Sequence, residues 1–360
     1  MPVLPPVQLA EATAELFEVD EYVRASQARD MFQVNGKGFG AAVLDTGANV
    51  DHVDFAGRIV AKGNFTTDDD GDLTNVQDGN GHGTNVAGIV LAGQVHMGMA
   101  PGASFAPLKV LRNDGGGSFA IVERALDWVL QTHATYNISV VCMSLSDGGN
   151  YVNDDFPGNS LRAKVQELHR RRVPVVVAAG NEYFRHQSRQ GMAFPAILRE
   201  CISVGAVYDA NLGMFEYPGG AIAFSTRPGQ ITPFSQRLHQ SVSQETHTDI
   251  FAPGAPVIST GIDGPYGESV QQGTSQAEPV VAGVILLIQE LYQRTTGSRP
   301  TVEEIVTFLR RGALPIVDGD DEHDNVEHSG LTYGRLDAVR TLDAVRRELV
   351  KRRLARPAQW

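Results

Sequence analysis

The sequence predicts an α/β fold: a mostly parallel central sheet with helices on both faces. Three observations lead there. Short continuous apolar runs recur along the chain, of the kind needed by strands buried on both faces. Amphipathic stretches of helical period separate them, as in the crossovers that join parallel strands. The 360 residues include 38 glycines and are 42% hydrophobic, enough for a sizeable core and many tight turns.

The elements follow in order. Residues 1–38 read as an arm and an entry helix, over 11–17 and then 20–32. A strand over 40–44 ends at Asp45, and a helix over 84–91 follows His82. Strands at 104–110, 138–143, 173–179 and 201–207 alternate with helices at 120–132 and 160–171. Segment 208–248 is rich in Gly, Ser, Thr, Gln and Pro and reads as loops or an insertion; the acidic stretch 318–328 reads as another loop. An apolar run over 280–288 continues a helix that begins near Ser275, and helices at 302–311 and 335–352 close the chain. No repeat or long linker divides it. The expected organisation is an N-terminal arm or short prosegment (1–21), one domain (22–345) with a loop-rich insertion at about 208–248, and a basic tail (346–360).

Composition excludes several classes. A net charge of −12 argues against nucleic acid as a partner, because phosphate binding needs a basic face. The basic cluster Arg346, Arg347, Lys351, Arg352, Arg353 and Arg356 reads as the solvated end of a helix. Cys142 and Cys201 lie inside apolar strands and are expected to be buried free thiols, which fits a reducing compartment. The start, Met1-Pro2-Val3-Leu4-Pro5-Pro6, is unlike a signal peptide, and no apolar run is long enough to span a membrane. A cytoplasmic protein with no membrane partner is expected.

Four glycine-rich junctions carry the chemistry. They are Val43-Leu44-Asp45-Thr46-Gly47, Asp78-Gly79-Asn80-Gly81-His82-Gly83-Thr84, Ala178-Ala179-Gly180-Asn181-Glu182 and Gly273-Thr274-Ser275-Gln276-Ala277-Glu278-Pro279. Asp45, Ser144 and Asn181 each fall where a strand stops, and functional groups of parallel sheets gather at such ends. Ser275 sits in the first turn of a helix, where free N–H groups and the positive dipole end favour a developing oxyanion. A serine hydroxyl becomes nucleophilic when a neutral imidazole takes its proton, and a carboxylate holds that imidazole in one tautomer. An asparagine amide can donate to the oxyanion beside the serine N–H. The set Asp45, His82, Asn181 and Ser275 therefore points to acyl transfer.

These blocks, in this order, resemble the subtilisin-like serine proteases, the subtilases. Weaker matches lie at Met99-Ala100-Pro101-Gly102, Lys109-Val110-Leu111, Ser203-Val204-Gly205-Ala206 and Ile250-Phe251-Ala252-Pro253-Gly254, so the likeness spans about residues 22–345. The resemblance implies a three-layer α/β peptidase domain acting on peptide or protein substrates. It implies Asp45 as orienting acid, His82 as general base and acid, Ser275 as nucleophile and Asn181 as oxyanion donor. It places an extended substrate between Gly115, Gly116 and Gly117 on one side and Ser144, Leu145 and Ser146 on the other. Ala179 and Gly180 would form a pocket wall with Glu182 at its rim.

Gln276 and Glu278 beside the nucleophile, and Asn85 after the histidine block, depart from the family pattern. Glu278 is expected to favour the helix dipole yet oppose an oxyanion or raise the His82 pKa. On the reference pKa of His82, activity is expected to fall between about pH 7 and 5. Asp54 matches a calcium carboxylate of the family, but the loop Ala92-Gly93-Gln94-Val95-His96-Met97 is short. No metal is therefore expected there and no cofactor is required, although structural calcium elsewhere is possible. Asp68-Asp69-Asp70-Gly71-Asp72 fails the EF-hand pattern and reads as a solvated loop. Val3-Leu4-Pro5-Pro6 is expected to lie near the groove and restrain activity. Asp45-Thr46-Gly47 also matches the aspartic-protease triplet, but a second copy is lacking. Two alternatives stay open: a transpeptidase or macrocyclase of the same fold, and a peptide-binding pseudoprotease.

Overall fold

The computed structural model describes residues 16–355. Val3–Pro6 and Arg356 lie outside that range. The chain runs through α1 (Leu16–Val23), α2 (Ala25–Phe32), β1 (Gly40–Asp45), β2 (Gly63–Asn64), α3 (His82–Leu91), β3 (Ser104–Lys109), α4 (Phe119–Thr132) and β4 (Ile138–Met143). Next come α5 (Ser160–Arg170), β5 (Val175–Ala178), β6 (Ile202–Val207), β7 (Phe215–Glu216), β8 (Ile222–Ser225), β9 (Ile250–Pro253), β10 (Val257–Thr260) and β11 (Glu268–Gln271). It ends with α6 (Thr274–Thr296), α7 (Val302–Gly312), β12 (Leu314–Val317), β13 (His323–Asp324), β14 (Thr332–Arg335) and α8 (Ala338–Ala355).

Strand β1 shows why the layers form. All its residues are buried, and its side chains alternate between two cores: Ala41 and Val43 in one, Ala42 and Leu44 in the other. A strand apolar on both faces needs helices above and below. On one face α4 and α5 supply Val122, Leu126, Val129, Leu161, Val165 and Leu168. On the other lie α3, α6, α7 and α8, with α6 at the centre through Val280, Val281, Val284, Ile285 and Ile288.

The nine-stranded sheet has the order β12-β14-β9-β6-β5-β4-β1-β3-β2. Its neighbours are parallel except at the edge, where β12 runs antiparallel to β14. After β3 the chain crosses β1 to build β4, β5, β6 and β9 on the other side. The direction of winding therefore changes beside β1, which is where sheets of this class leave an opening at their carboxyl ends.

Several boundaries differ from the sequence reading. The entry helix is two helices, because Arg24 adopts a left-handed conformation (φ 60) and donates to both oxygens of Asp337. Segment 208–248 and the acidic stretch pair with each other: β8 lies between β7 and β13 in a three-stranded antiparallel sheet. Fully buried Arg237 binds the Asp318 carboxylate at 2.9 and 3.1 Å and stacks on Tyr183, so a charge pair fastens the two segments. The hairpin β10–β11, which patterning did not suggest, leads directly to Ser275. Residues 346–355 continue α8, where Arg352 pairs with Glu348 and Glu304.

Leu126 is fully buried on α4, whereas Val350 on α8 is 53% exposed. Urea unfolding is expected to show Leu126→Ala losing about 2–5 kcal/mol, from lost burial and the cavity left behind. Val350→Ala should change stability by less than about 0.5 kcal/mol.

Candidate active site

Asp45 is the last residue of β1 and His82 the first of α3; both side chains are buried. The Asp45 Oδ1 lies 2.7 Å from His82 Nδ1 and also accepts the Thr46 N–H at 2.7 Å. That contact fixes the proton of a neutral ring on Nδ1 and leaves Nε2 unprotonated. Burial disfavours the imidazolium, but the Asp45 charge, its hydrogen bond and the Asp78 charge outweigh it, leaving the His82 pKa above 6.5. The His82 imidazolium therefore persists to a higher pH than that of an unperturbed histidine.

The start of α3 is held from two sides. Thr46 Oγ1 accepts the Gly83 N–H at 2.8 Å, and Asp78 Oδ2 accepts the N–H and hydroxyl of Thr84 at 2.9 and 2.7 Å. Asp78 Oδ1 accepts from Asn80 and Gly81. Asp78 thus positions His82, a role that sequence reading missed although the residue opens the histidine block; an acid just before a helix start is the available signal. Gly83 is required by contact, since a Cβ there would lie 2.3 Å from the Gly47 carbonyl oxygen.

Ser275 is the second residue of α6 and the only partly accessible position between Gln271 and Gln289. Its hydroxyl is turned to the Ser144 carbonyl at 3.3 Å. Asn181, just beyond β5, accepts the Thr274 N–H (2.8 Å) and hydroxyl (3.0 Å) on Oδ1. That pairing fixes the amide, because only its oxygen can accept, and directs Nδ2 away from Thr274. Gly273 (φ 149) leaves the space beside it open: a Cβ there would stand 3.2 Å from Asn181 Nδ2. The Ser275 N–H belongs to the first helical turn, whose donors lack helical acceptors. Two kinds of donor thus border one open position.

The remaining candidates surround this centre unequally. Ser144 touches Ser275 through its hydroxyl, 2.8 Å from the Ser275 carbonyl oxygen. Leu145 is buried and Ser146 half-buried beyond β4. Ala179 is bonded to β6 and to Ala193. Gly180 donates to Thr274 Oγ1 at 3.2 Å, and a Cβ on it would strike Gln236 Oε1. Half-buried Glu182 pairs with Arg185 at 2.9 Å. Gly115, Gly116 and Gly117 form a tight turn after β3, closed by the Leu111–Gly117 bridge and the Gly116 carbonyl's bond from Arg112. No hydrogen bond joins that turn to Ser275 or His82.

Two departures meet: Gln276 Nε2 lies 3.4 Å from Asn85 Oδ1. Glu278 is fully buried beside Cys142 and Ser144. Asp54 is enclosed by donors: Oδ1 accepts from the N–H groups of Gly93, Gln94, Val95 and His96, and Oδ2 from His96 N–H and Nδ1 (2.7 Å). The acidic loop is tied to buried Lys109, whose ammonium meets Asp69 at 2.9 Å.

Known proteins resemble this chain over most of its length. The model of the subtilase family matches residues 36–332. An intracellular serine protease of Paenibacillus polymyxa is 30% identical over 345 residues, covering 94% of this chain and 92% of that protein. The major intracellular serine protease of Bacillus subtilis (strain 168) is 30% identical, covering 85% and 86%. An extracellular serine proteinase of Thermus sp. (strain Rt41A) is 31% identical, covering 80% of this chain and 59% of that protein. With a family match over most of the chain, and a partly accessible helix-borne serine near a buried acid–imidazole pair, the chain belongs to the subtilase family and is a serine endopeptidase.

Proposed function

We propose that peptide bonds are cleaved by Ser275 as nucleophile, His82 as general base and then acid, and Asp45 as the orienting carboxylate. Asn181 and the Ser275 N–H are the proposed oxyanion donors. The buried Asp45–His82 contact of 2.7 Å carries this reading. Rotation about the Ser275 Cα–Cβ bond brings Oγ from the Ser144 carbonyl towards the imidazole. Oγ attacks the scissile carbonyl carbon, its proton passes to His82 Nε2, and Asp45 stabilises the imidazolium. The carbonyl electrons move onto oxygen, where the Asn181 amide and the Ser275 N–H donate. Collapse expels the amine, which takes the proton from His82; water then repeats the sequence on the acyl-serine.

Gly115, Gly116 and Gly117 are the proposed outer rim of the substrate groove, with Ser144, Leu145 and Ser146 opposite. Ala179, Gly180 and Glu182 are the proposed pocket wall and rim. We propose no calcium at Asp54: its oxygens already accept from four backbone N–H groups, that of His96 shared between both, and meet the His96 imidazole, and a calcium ion does not fit among inward-pointing donors. The loop geometry thus supplies by hydrogen bonding the positive lining that a metal would supply. An intracellular site of action, without nucleic-acid or membrane partners, is the reading supported by the two intracellular relatives, the net charge of −12 and two unpaired buried cysteines.

A fluorophosphonate probe is expected to label the wild type and not Ser275→Ala; equal labelling of both sinks the nucleophile assignment. Asn181→Ala should lower kcat by about 10²–10³, the size known for oxyanion asparagines of this family, with KM little changed. EDTA should leave the thermal midpoint within about 1 °C; a drop of several degrees that calcium restores argues for a bound ion.

A further inference from the structure

Pro279 stands four residues after Ser275 in α6 and has no N–H, so the Ser275 carbonyl lacks its helical donor. The Ser144 hydroxyl takes that place at 2.8 Å. The same hydroxyl lies 3.0 Å from Glu278 Oε2, which the Cys142 thiol also meets at 2.6 Å. Glu278 Oε1 is buried without a hydrogen-bond partner. The titratable groups facing Glu278 are Cys142 on β4 and Asp45 at the end of β1, with His82 beyond Asp45. Among the described residues no cation pairs with it.

A proton count decides the state of this cluster. Ser144 has one hydroxyl proton and two neighbouring acceptors. With Glu278 ionised, its oxygen and the Ser275 carbonyl compete for that proton, and one buried acceptor goes without. With Glu278 protonated on Oε2, the carboxyl donates to Ser144 Oγ, and Ser144 donates on to the Ser275 carbonyl. The thiol still donates to Oε2. The neutral acid gives a chain of bonds in one direction; the anion breaks it.

We propose that Glu278 is a protonated positioning acid that locks the Ser144 hydroxyl onto the Ser275 carbonyl, fixes the turn presenting the nucleophile, and disarms the site when it ionises. The inference rests on Ser275 being the nucleophile. Burial has the largest influence and pushes the Glu278 pKa from 4.5 up to about 8; the bonds from the Cys142 thiol, the Ser144 hydroxyl and the Met143 N–H oppose it, and the Asp45 charge adds to it. Ionisation therefore falls within a useful pH range. It adds a negative charge next to Asp45, favouring the imidazolium over the neutral base and opposing the oxyanion.

The sign for stability follows. Between pH 4.5 and about 8 the folded state holds a proton that the unfolded chain has lost. The contribution of Glu278 to stability thus falls as pH rises across that window. Glu278→Gln keeps an N–H donor at the same place with no proton to lose; Glu278→Ala is neutral but has no donor.

The test measures the rate of fluorophosphonate labelling against pH for wild type, E278Q and E278A, and thermal midpoints of the same variants on an S275A background. Wild-type labelling should rise through an acid limb above pH 6.5, set by His82, and fall to about a tenth of its plateau by pH 9. E278Q should keep the wild-type plateau and lack the alkaline limb. E278A should lack that limb too, from a lower plateau. The midpoint of S275A/E278Q should gain on that of S275A as pH rises from about 5 to 9. Midpoints that run parallel overturn the protonated acid. An alkaline limb unchanged in E278Q overturns the positioning role. Absence of wild-type labelling at every pH is a different failure, that of the Ser275 assignment, while the midpoints still report the proton on Glu278.

Discussion

The contact between Asp45 and His82 makes the heaviest demand on this fold. A carboxylate with no exposed surface costs much free energy unless donors meet it, and here they are one backbone N–H and one imidazole N–H. Those donors must be held still. The Asp45 backbone is fixed by β3 and the core on both faces; the imidazole is fixed by α3, whose start is clamped by Thr46 and Asp78. The glycines around His82 follow from the same demand, because α3 meets the turn after β1 too closely for a side chain at position 83.

The first turn of α6 answers a second demand, that of presenting one accessible oxygen at the start of a helix whose first four turns are otherwise buried. Asn181 takes the Thr274 N–H, Gly273 keeps the adjoining space clear, and Pro279 removes a donor from the Ser275 carbonyl. The Thr274 N–H and the Ser275 carbonyl thus find their partners beyond the ends of β5 and β4. Ser144, at the end of β4, serves both the carbonyl and the buried Glu278. The chemistry proposed for Ser275 thus depends on four segments meeting at one sheet edge.

Away from the centre, charges are handled within the protein. Asp54 is met by the N–H groups of a short loop, Asp318 by Arg237 and His328, and the acidic loop at 68–72 by Lys109. Burial alone would raise the Asp318 pKa, yet the His328 and Arg237 contacts hold it well below the usual carboxylate range. Breaking one partner of such a pair leaves an uncompensated buried charge. The segments it joins, 208–248 and 318–328, therefore depend on each other although each reads as a loop in isolation.

The sequence by itself determined the fold class, the strands β1, β3, β4, β5 and β6 and the four chemical blocks. Those features are local: apolar runs, helical periods and glycine junctions write their physics in adjacent residues. The same reading found the acid, the imidazole, the amide and the serine, because each sits where a strand or helix begins or ends. It gave Asp78 no role, treated Gln276 and Asn85 separately, and weighed Glu278 only for its charge. Tertiary structure decided those points. Asn85 meets Gln276 across 191 positions, Glu278 meets Cys142 across 136, and Asp318 meets Arg237 across 81. A polar side chain reads as solvated until the partner that desolvates it is known, and contacts over such separations are set by how the layers pack.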